Sequence, residues 1–204
     1  MKRSASEILF LGLPLLLWPL SFIVLRSYFI YAMVGSTGLL ALLSLRLHPE
    51  RIHWVRTRTP VLAVLGGALG AFVLYGLFVL GNIGTADLGL SSYVSNVYAM
   101  IYQASSREIT IVLLALIGIF EEIYWRGALQ GTVEGHPGRF QKYPWVLSTA
   151  YYTFVHISTL NPILVGAAMV VGLVTSLVAD RVGISGSIVT HLLWIEAIVV
   201  FFPV

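Results

Sequence analysis

Long apolar runs, separated by short polar or basic connections, dominate the pattern of this chain. A helix of about 20 apolar residues crosses the ~30 Å hydrocarbon core of a bilayer. We therefore predict an all-α, polytopic transmembrane helix bundle of about seven spans, with six to eight compatible with the pattern. The predicted spans are residues 8–25, 28–46, 60–82, 109–130, 143–158, 160–179 and 184–203, within a single membrane-embedded domain over 1–204.

Composition supports the membrane prediction and excludes several kinds of chemistry. The chain is 58% hydrophobic and 10% charged, whereas a soluble domain carries about 25% charged residues. The net charge of +3 comes without an aromatic-basic run, which argues against a nucleic-acid partner. The absence of cysteine excludes disulfides, iron–sulfur clusters and thiol catalysis.

The basic residues predict the orientation. Met1-Lys2-Arg3 and the apolar run after it lack a small-x-small cleavage site, so we expect a retained first span. With the N-terminus cytoplasmic and the C-terminus external, two of the basic residues, Arg26 and Arg107, lie on the external side. The other ten basic residues then lie on the cytoplasmic side, as the positive-inside rule requires: Lys2, Arg3, Arg46, Arg51, Arg56, Arg58, Arg126, Arg139, Lys142 and Arg181.

Two connections and one span have features of their own. Residues 48–60 are basic and contain Trp54, which suits a surface touching anionic lipid. Residues 92–104 have apolar positions at helical spacing, as in an interfacial amphipathic helix. The third span has small residues four apart, which predicts close helix packing: Ala63, Gly67 and Ala71, with Gly66 and Gly70.

Three ionisable residues interrupt the fourth span. Each of Glu121, Glu122 and Arg126 costs roughly 2.5–3.5 kcal/mol in a membrane helix, so we interpret them as a functional site rather than a packing cluster. Glu122 and Arg126 are four residues apart and share a helix face. Glu121 points about 100° away, so we expect Arg126 to orient Glu122 while Glu121 performs acid–base chemistry.

Two histidines on later spans extend this candidate site. His156 lies in the fifth span, with Tyr152 one turn before it, and His191 lies in the seventh. Taken alone, either histidine is as compatible with a packing or interfacial role as with a catalytic one. Together with the glutamates they predict a shared polar pocket, because polar groups in an apolar bundle must satisfy one another.

These motifs resemble one family of membrane proteins. EEIYWR (121–126) fits its EExxxR motif, YYTFVH (151–156) fits a relaxed FxxxH, and DRVGISGSIVTHLLW (180–194) resembles its third motif. The family is the CPBP group, the CAAX-prenyl-endopeptidase-like and bacteriocin-processing intramembrane proteases, also called ABI. Residues 105–204 are the family-like region, and residues 1–104 are generic spans plus the interfacial segment.

The resemblance implies a glutamate-type endopeptidase in a prokaryotic plasma membrane, whose substrate is a membrane-associated peptide or protein. It assigns Glu121 as the base, assisted by His156. It assigns His191 to the oxyanion, and Glu122 with Arg126 to ordering the site. Together with the predicted orientation, it places the chemistry in the cytoplasmic half of the bilayer.

The sequence departs from the family at one position. The third motif usually has Asn or Asp four residues after its histidine, where this chain has Ile195. Loss of one oxyanion donor slows such chemistry about 100- to 1,000-fold. Asn161 is a candidate substitute amide, and Tyr152 and Asn161 are the candidate substrate-binding residues.

Functions other than proteolysis would use some of the same residues. Two histidines and a glutamate could hold zinc. We nevertheless expect no cofactor and no metal, since HExxH is absent and an arginine beside those ligands disfavours a divalent cation. A catalytically weak or inactive relative that binds peptides or acts as an immunity protein is the main alternative, because of Ile195. A proton-coupled carrier would also use buried Glu and His residues, but the chain shows no internal repeat.

Overall fold

The computed structural model describes residues 5–103, 105–138 and 141–204, and these residues form helices without any strand. The predicted all-α, polytopic class is confirmed. Lys2, Arg3 and Arg139, which entered the charge count, lie outside the described residues. The α-helices are α1 (Ala5–Gly12), α2 (Pro14–Pro19), α3 (Phe29–Leu47), α4 (Pro60–Asp87), α5 (Ser91–Tyr102), α6 (Arg107–Glu122), α7 (Gln130–Gly135), α8 (Pro144–His156), α9 (Pro162–Val182) and α10 (Ile184–Glu196).

Four of the predicted spans are long and apolar enough, by length and composition, to cross a membrane. Among the described residues these are Arg26–Leu47, Pro60–Asp87, Pro162–Val182 and Ile184–Phe201. The first predicted span is a shorter apolar stretch, Leu9–Val24. The fourth contains the charged cluster, and the fifth, α8, has 13 residues, or about 20 Å of helix.

The predicted fourth span is not a uniform α-helix. The chain is helical from Arg107 to Gly135, but a π-helical segment, Ile123–Leu129, separates α6 from α7. A π-helix closes i→i+5 hydrogen bonds, and such segments occur frequently at functional sites. The segment begins directly after Glu122 and contains Arg126, so the site residues lie where the helix geometry changes.

Helices α4 and α10 pack closely at the small residues predicted for that purpose. A Cβ on Gly67 would collide with the carbonyl oxygen of Gly186 and would lie 2.7 Å from the Cβ of Val189. A Cβ on Gly70 would lie 2.6 Å from Thr190 Oγ1, and Thr190 donates a 2.9 Å hydrogen bond to Gly67 O. This contact fixes the position of α10 immediately before His191.

The connection between α3 and α4 caps the start of α10. Ile184 N donates to His53 O and Ser185 N donates to Trp54 O, each at 3.0 Å. These bonds satisfy N–H groups that a helix N-terminus otherwise leaves without partners. Gly183 has a φ of 93°, and a Cβ there would lie 2.7 Å from Trp54 O, so the turn requires glycine.

Candidate active site

The two glutamates are both buried but have different surroundings. Glu121 is 4% exposed and Glu122 is 0% exposed. They end α6 side by side, where α10 and the π-helical segment meet α6. Buried carboxylates need partners to offset their desolvation, and the structure provides a different set of partners for each.

Glu122 has three polar partners from two elements. The Nδ1 atom of His191 lies 2.8 Å from Glu122 Oε1, and the hydroxyl of Ser187 donates to Oε2. Arg126 Nη1 lies 3.2 Å from Oε1. Since a carboxylate only accepts, the proton of His191 Nδ1 points at Glu122. The predicted pairing of Glu122 with Arg126 is therefore present, with Ser187 and His191 added.

Glu121 is held by a tyrosine from α8. The Tyr152 hydroxyl donates a 2.8 Å hydrogen bond to Glu121 Oε2. The other neighbour of this oxygen is His191 Nε2 at 4.0 Å, which is too long for a direct hydrogen bond. His191 therefore lies between the two carboxylates, bonded to Glu122 and close to Glu121.

Arg126 is held by charge rather than by aligned hydrogen bonds. Its side chain is fully buried, and its three nitrogens make no hydrogen bond with the described residues. The guanidinium carbon lies 4.6 Å from the centre of the Tyr152 ring, within range of a cation–π contact. Arg126 thus contacts both the ring that binds Glu121 and the carboxylate of Glu122.

His156 uses both ring nitrogens within the protein. Nδ1 lies 2.7 Å from the carbonyl oxygen of Tyr152, and the indole Nε1 of Trp18 donates to Nε2 at 3.2 Å. An indole only donates and a carbonyl only accepts. These contacts define neutral His156 with its proton on Nδ1 and its Nε2 lone pair occupied by Trp18.

Part of this cluster borders a cavity of about 500 Å³. Glu121, Tyr152, His156 and His191 line it, whereas Glu122 and Arg126 do not. The rest of its lining is mainly apolar and includes Trp194 and Ile195. The cavity is also lined by residues within 77–85 of α4 and within 162–171 of α9. In the predicted orientation these are the external halves of both helices, whereas the sequence predicted chemistry in the cytoplasmic half.

Asn161 is not a spare amide, which corrects its expected role. Its side-chain nitrogen donates to Tyr93 O at 2.9 Å. Its Oδ1 accepts from Ile163 N and Leu164 N, each at 3.1 Å. These bonds cap α9 and tie it to α5. Asn161 is also outside the cavity lining, so the proposed substrate site does not include it.

Two site residues were missed from the sequence. Ser187 lies in the tract that carries the third motif, and its position four residues before His191 places both on one face of α10, so the signal was present. Trp18 gave no signal, because a tryptophan in the first apolar run is as typical of a membrane interface as of a site. Trp18 is 0% exposed and contacts Trp125 as well as His156.

Residues 103–195 match a protein-family model, described as Type II CAAX prenyl endopeptidase Rce1-like. The matched region contains both glutamates, Arg126 and both histidines, and ends at Ile195. The match is consistent with the CPBP group and confirms that resemblance. It supports a protease-type function, and with the apolar helices it indicates an integral membrane protein. No curated protein and no solved structure matches the chain.

Proposed function

We propose that the Rce1-like region hydrolyses a peptide bond of a membrane-associated peptide or protein, with water activated by Glu121. One observation carries the proposal: Glu121 lines the cavity, whereas its equally buried neighbour Glu122 does not. Carboxylates in contrasting environments take different roles in acid–base enzymes. Glu121 faces the space that a substrate can occupy, and Glu122 faces the groups that order the site.

Glu121 acts as the general base. Tyr152 fixes one oxygen of the carboxylate, so the group is oriented before substrate binds. The oxygen of a water molecule bonds to the carbonyl carbon of the substrate while Glu121 takes one of the water protons. When the tetrahedral intermediate collapses, the carbon–nitrogen bond breaks and Glu121 gives that proton to the leaving nitrogen. The products are an acid and an amine, and Glu121 is unchanged.

His191 stabilises the oxyanion. The scheme takes both nitrogens of His191 as protonated, so that His191 and Arg126 balance the two carboxylates. A neutral cluster is the least costly state in a medium of low dielectric constant. In that form Nδ1–H donates to Glu122, and Nε2–H, 4.0 Å from Glu121 Oε2, is available to the substrate oxygen.

His156 assists Glu121 in orienting the water. It lines the same cavity, and its neutral form has a lone pair on Nε2 that can accept from water. Trp18 occupies that lone pair at 3.2 Å, so the assistance requires Trp18 to release His156 when substrate binds. Glu122, Arg126 and Ser187 are positioning residues in this scheme, because they act through His191 and Tyr152.

The substrate segment is apolar. The cavity lining beyond Glu121 and the histidines consists mainly of aliphatic and aromatic side chains, and burial of apolar surface is worth about 25 cal/mol per Å². We propose that the segment enters along α4, α5 and α9, the helices that line the cavity away from α6. This path lies on the external side in the predicted orientation.

Cleavage by purified protein in liposomes tests the proposal. A pool of short membrane-associated peptides is compared between wild type, Glu121→Gln and His156→Ala, with and without a chelator. The chelator arm tests the expectation that no metal takes part. We expect wild-type cleavage that is lost in Glu121→Gln, reduced in His156→Ala and insensitive to the chelator. Loss of cleavage with the chelator would contradict the proposal.

A non-catalytic peptide-binding protein is the second candidate, because Ile195 provides no donor and Trp18 occupies His156 Nε2. This alternative predicts that wild type binds the peptides without cleaving them. It also predicts that Glu121→Gln binds them equally well. Peptide binding is therefore measured in the same liposomes as cleavage.

A further inference from the structure

Trp194 has a buried hydrogen-bond donor without an acceptor. The residue is 8% exposed, and its indole Nε1 makes no hydrogen bond with the described residues. A buried N–H group without an acceptor costs about 1–3 kcal/mol. Native proteins keep few such groups, and catalytic sites are among the places where they occur.

Trp194 also lies beside the proposed oxyanion residue. It follows His191 by three residues on α10, and the centres of the two rings are 5.7 Å apart. Both residues line the cavity that Glu121 faces. An indole N–H is a donor only, so the chemistry that Trp194 adds to the cavity is recognition of an acceptor or an anion.

Most other side-chain donors of the cavity are already used within the protein. Such a donor can reach a substrate oxygen only after its bond within the protein is broken. The bonds are Tyr152 Oη to Glu121 Oε2, Tyr98 Oη to Ile198 O, Thr85 Oγ1 to Asn82 O and His156 Nδ1 to Tyr152 O.

We propose that Trp194 Nε1–H is the second oxyanion donor of this site, in place of the amide that Ile195 lacks. The inference rests on the proposed function. As water attacks, the π electrons of the substrate carbonyl move onto its oxygen, which accepts hydrogen bonds from His191 Nε2–H and Trp194 Nε1–H. Neither proton is transferred to the oxygen. When the carbonyl re-forms, the electron pair returns and the carbon–nitrogen bond breaks.

The first test changes the N–H group and nothing else in the ring. Replacing Trp194 with 3-benzothienylalanine exchanges the N–H for sulfur and keeps the shape of the side chain. We expect kcat to fall on the order of 100-fold, as for loss of one oxyanion donor, with KM unchanged. An unchanged kcat, or a change confined to KM, would overturn the proposal.

Trp125 provides the matched control. It is 0% exposed, its Nε1 also lacks a partner among the described residues, and it does not line the cavity. The same replacement at Trp125 should leave kcat unchanged. An equal fall in both variants would indicate a general effect of the lost N–H on the fold and would overturn the assignment. Adding Ile195→Asn to the Trp194 variant should restore part of kcat.

A second readout does not require turnover, so it separates this inference from the proposed function. The chain has five tryptophans, whose indole N–H groups give separate NMR signals that single substitutions assign. The probe is an N-acetylated trileucine trifluoromethyl ketone, whose hydrate mimics the tetrahedral intermediate, compared with the corresponding trileucine amide. We expect the ketone to shift the Trp194 signal downfield and to leave the Trp125 signal in place. A bound ketone without that shift would overturn the proposal even if wild type cleaves peptides.

Discussion

At the scale of single residues, the site depends on how Glu122 is held. The carboxylate is fully buried and accepts from Ser187 on α10 as well as from His191. The Ser187 oxygen also lies 3.0 Å from Thr175 O, so its single proton is shared between Glu122 and the backbone of α9. A hydrogen bond to a buried charged group contributes about 1.5–3 kcal/mol.

Ser187→Ala should therefore destabilise the protein by about 1.5–3 kcal/mol and lower kcat more than it raises KM, because His191 loses the fixed orientation of its partner. Thermal unfolding in detergent and peptide cleavage measure the two effects. Ser185→Ala is the matched control, since the Ser185 hydroxyl makes no hydrogen bond within the described part of the chain. Equal behaviour of the two variants would show that the Ser187–Glu122 bond is unimportant.

At the scale of helices, the approach of α4 to α10 determines where His191 lies. Gly67 meets the backbone of Gly186 and the side chain of Val189, so a methyl group there has no space. Gly67→Ala should cost about 1–3 kcal/mol of stability by overpacking and should reduce activity by moving α10. A Cβ on Gly76 of the same helix would meet nothing within 4 Å, so Gly76→Ala should leave stability and activity unchanged. The melting temperature and kcat of the two variants check this prediction.

The helices also show what sequence can predict and where it fails. Hydrophobic runs predict the long helices, and the cost of charge in lipid predicts that Glu121, Glu122 and His191 converge. The π-helical segment after Glu122 was missed, because a 3.6-residue period contains no information about a local i→i+5 pattern. Trp18 was missed because its partner His156 comes from a distant part of the chain. Trp194 was missed because the sequence does not show that its indole N–H is buried without an acceptor.

At the scale of the whole molecule, an ion pair links the α3–α4 connection to α7 on the side predicted to be cytoplasmic. Arg56, from the α3–α4 connection, donates to Glu134 of α7, with Nη1 2.9 Å from Oε1. The hydrogen bond from Arg56 lowers the pKa of Glu134, and nearby positive charge adds to that effect. A carboxyl group with a lowered pKa stabilises the fold above its unfolded-state pKa of about 4.3, and this contribution is lost as pH falls through the lower folded-state value.

Stability should thus decrease below about pH 5 in wild type, in part through Glu134. In Glu134→Gln the contribution of this pair is absent at every pH, so the two unfolding curves should converge as pH falls. Melting temperatures of both proteins between pH 3 and pH 7 measure this. A constant difference across that range would contradict the assignment.

The orientation of the bundle is also a prediction for the whole molecule. Because the chain has no cysteine, single introduced cysteines report sidedness without background. Thr59→Cys before α4 should react with a membrane-impermeant maleimide only after the cytoplasmic side is opened. Ser92→Cys on α5 should react from outside in intact cells. The reverse pattern would invert the orientation and place the cavity on the cytoplasmic side.

The central claim is that Glu121 activates water while the rest of the site holds substrate, and one paired measurement tests it most directly. Peptide binding and peptide cleavage are measured in the same liposomes for wild type and Glu121→Gln, a variant that removes the base and keeps the shape of the side chain. The account predicts that Glu121→Gln binds peptide with wild-type affinity and does not cleave it. Cleavage by Glu121→Gln at the wild-type rate, or binding without cleavage by wild type, would contradict it.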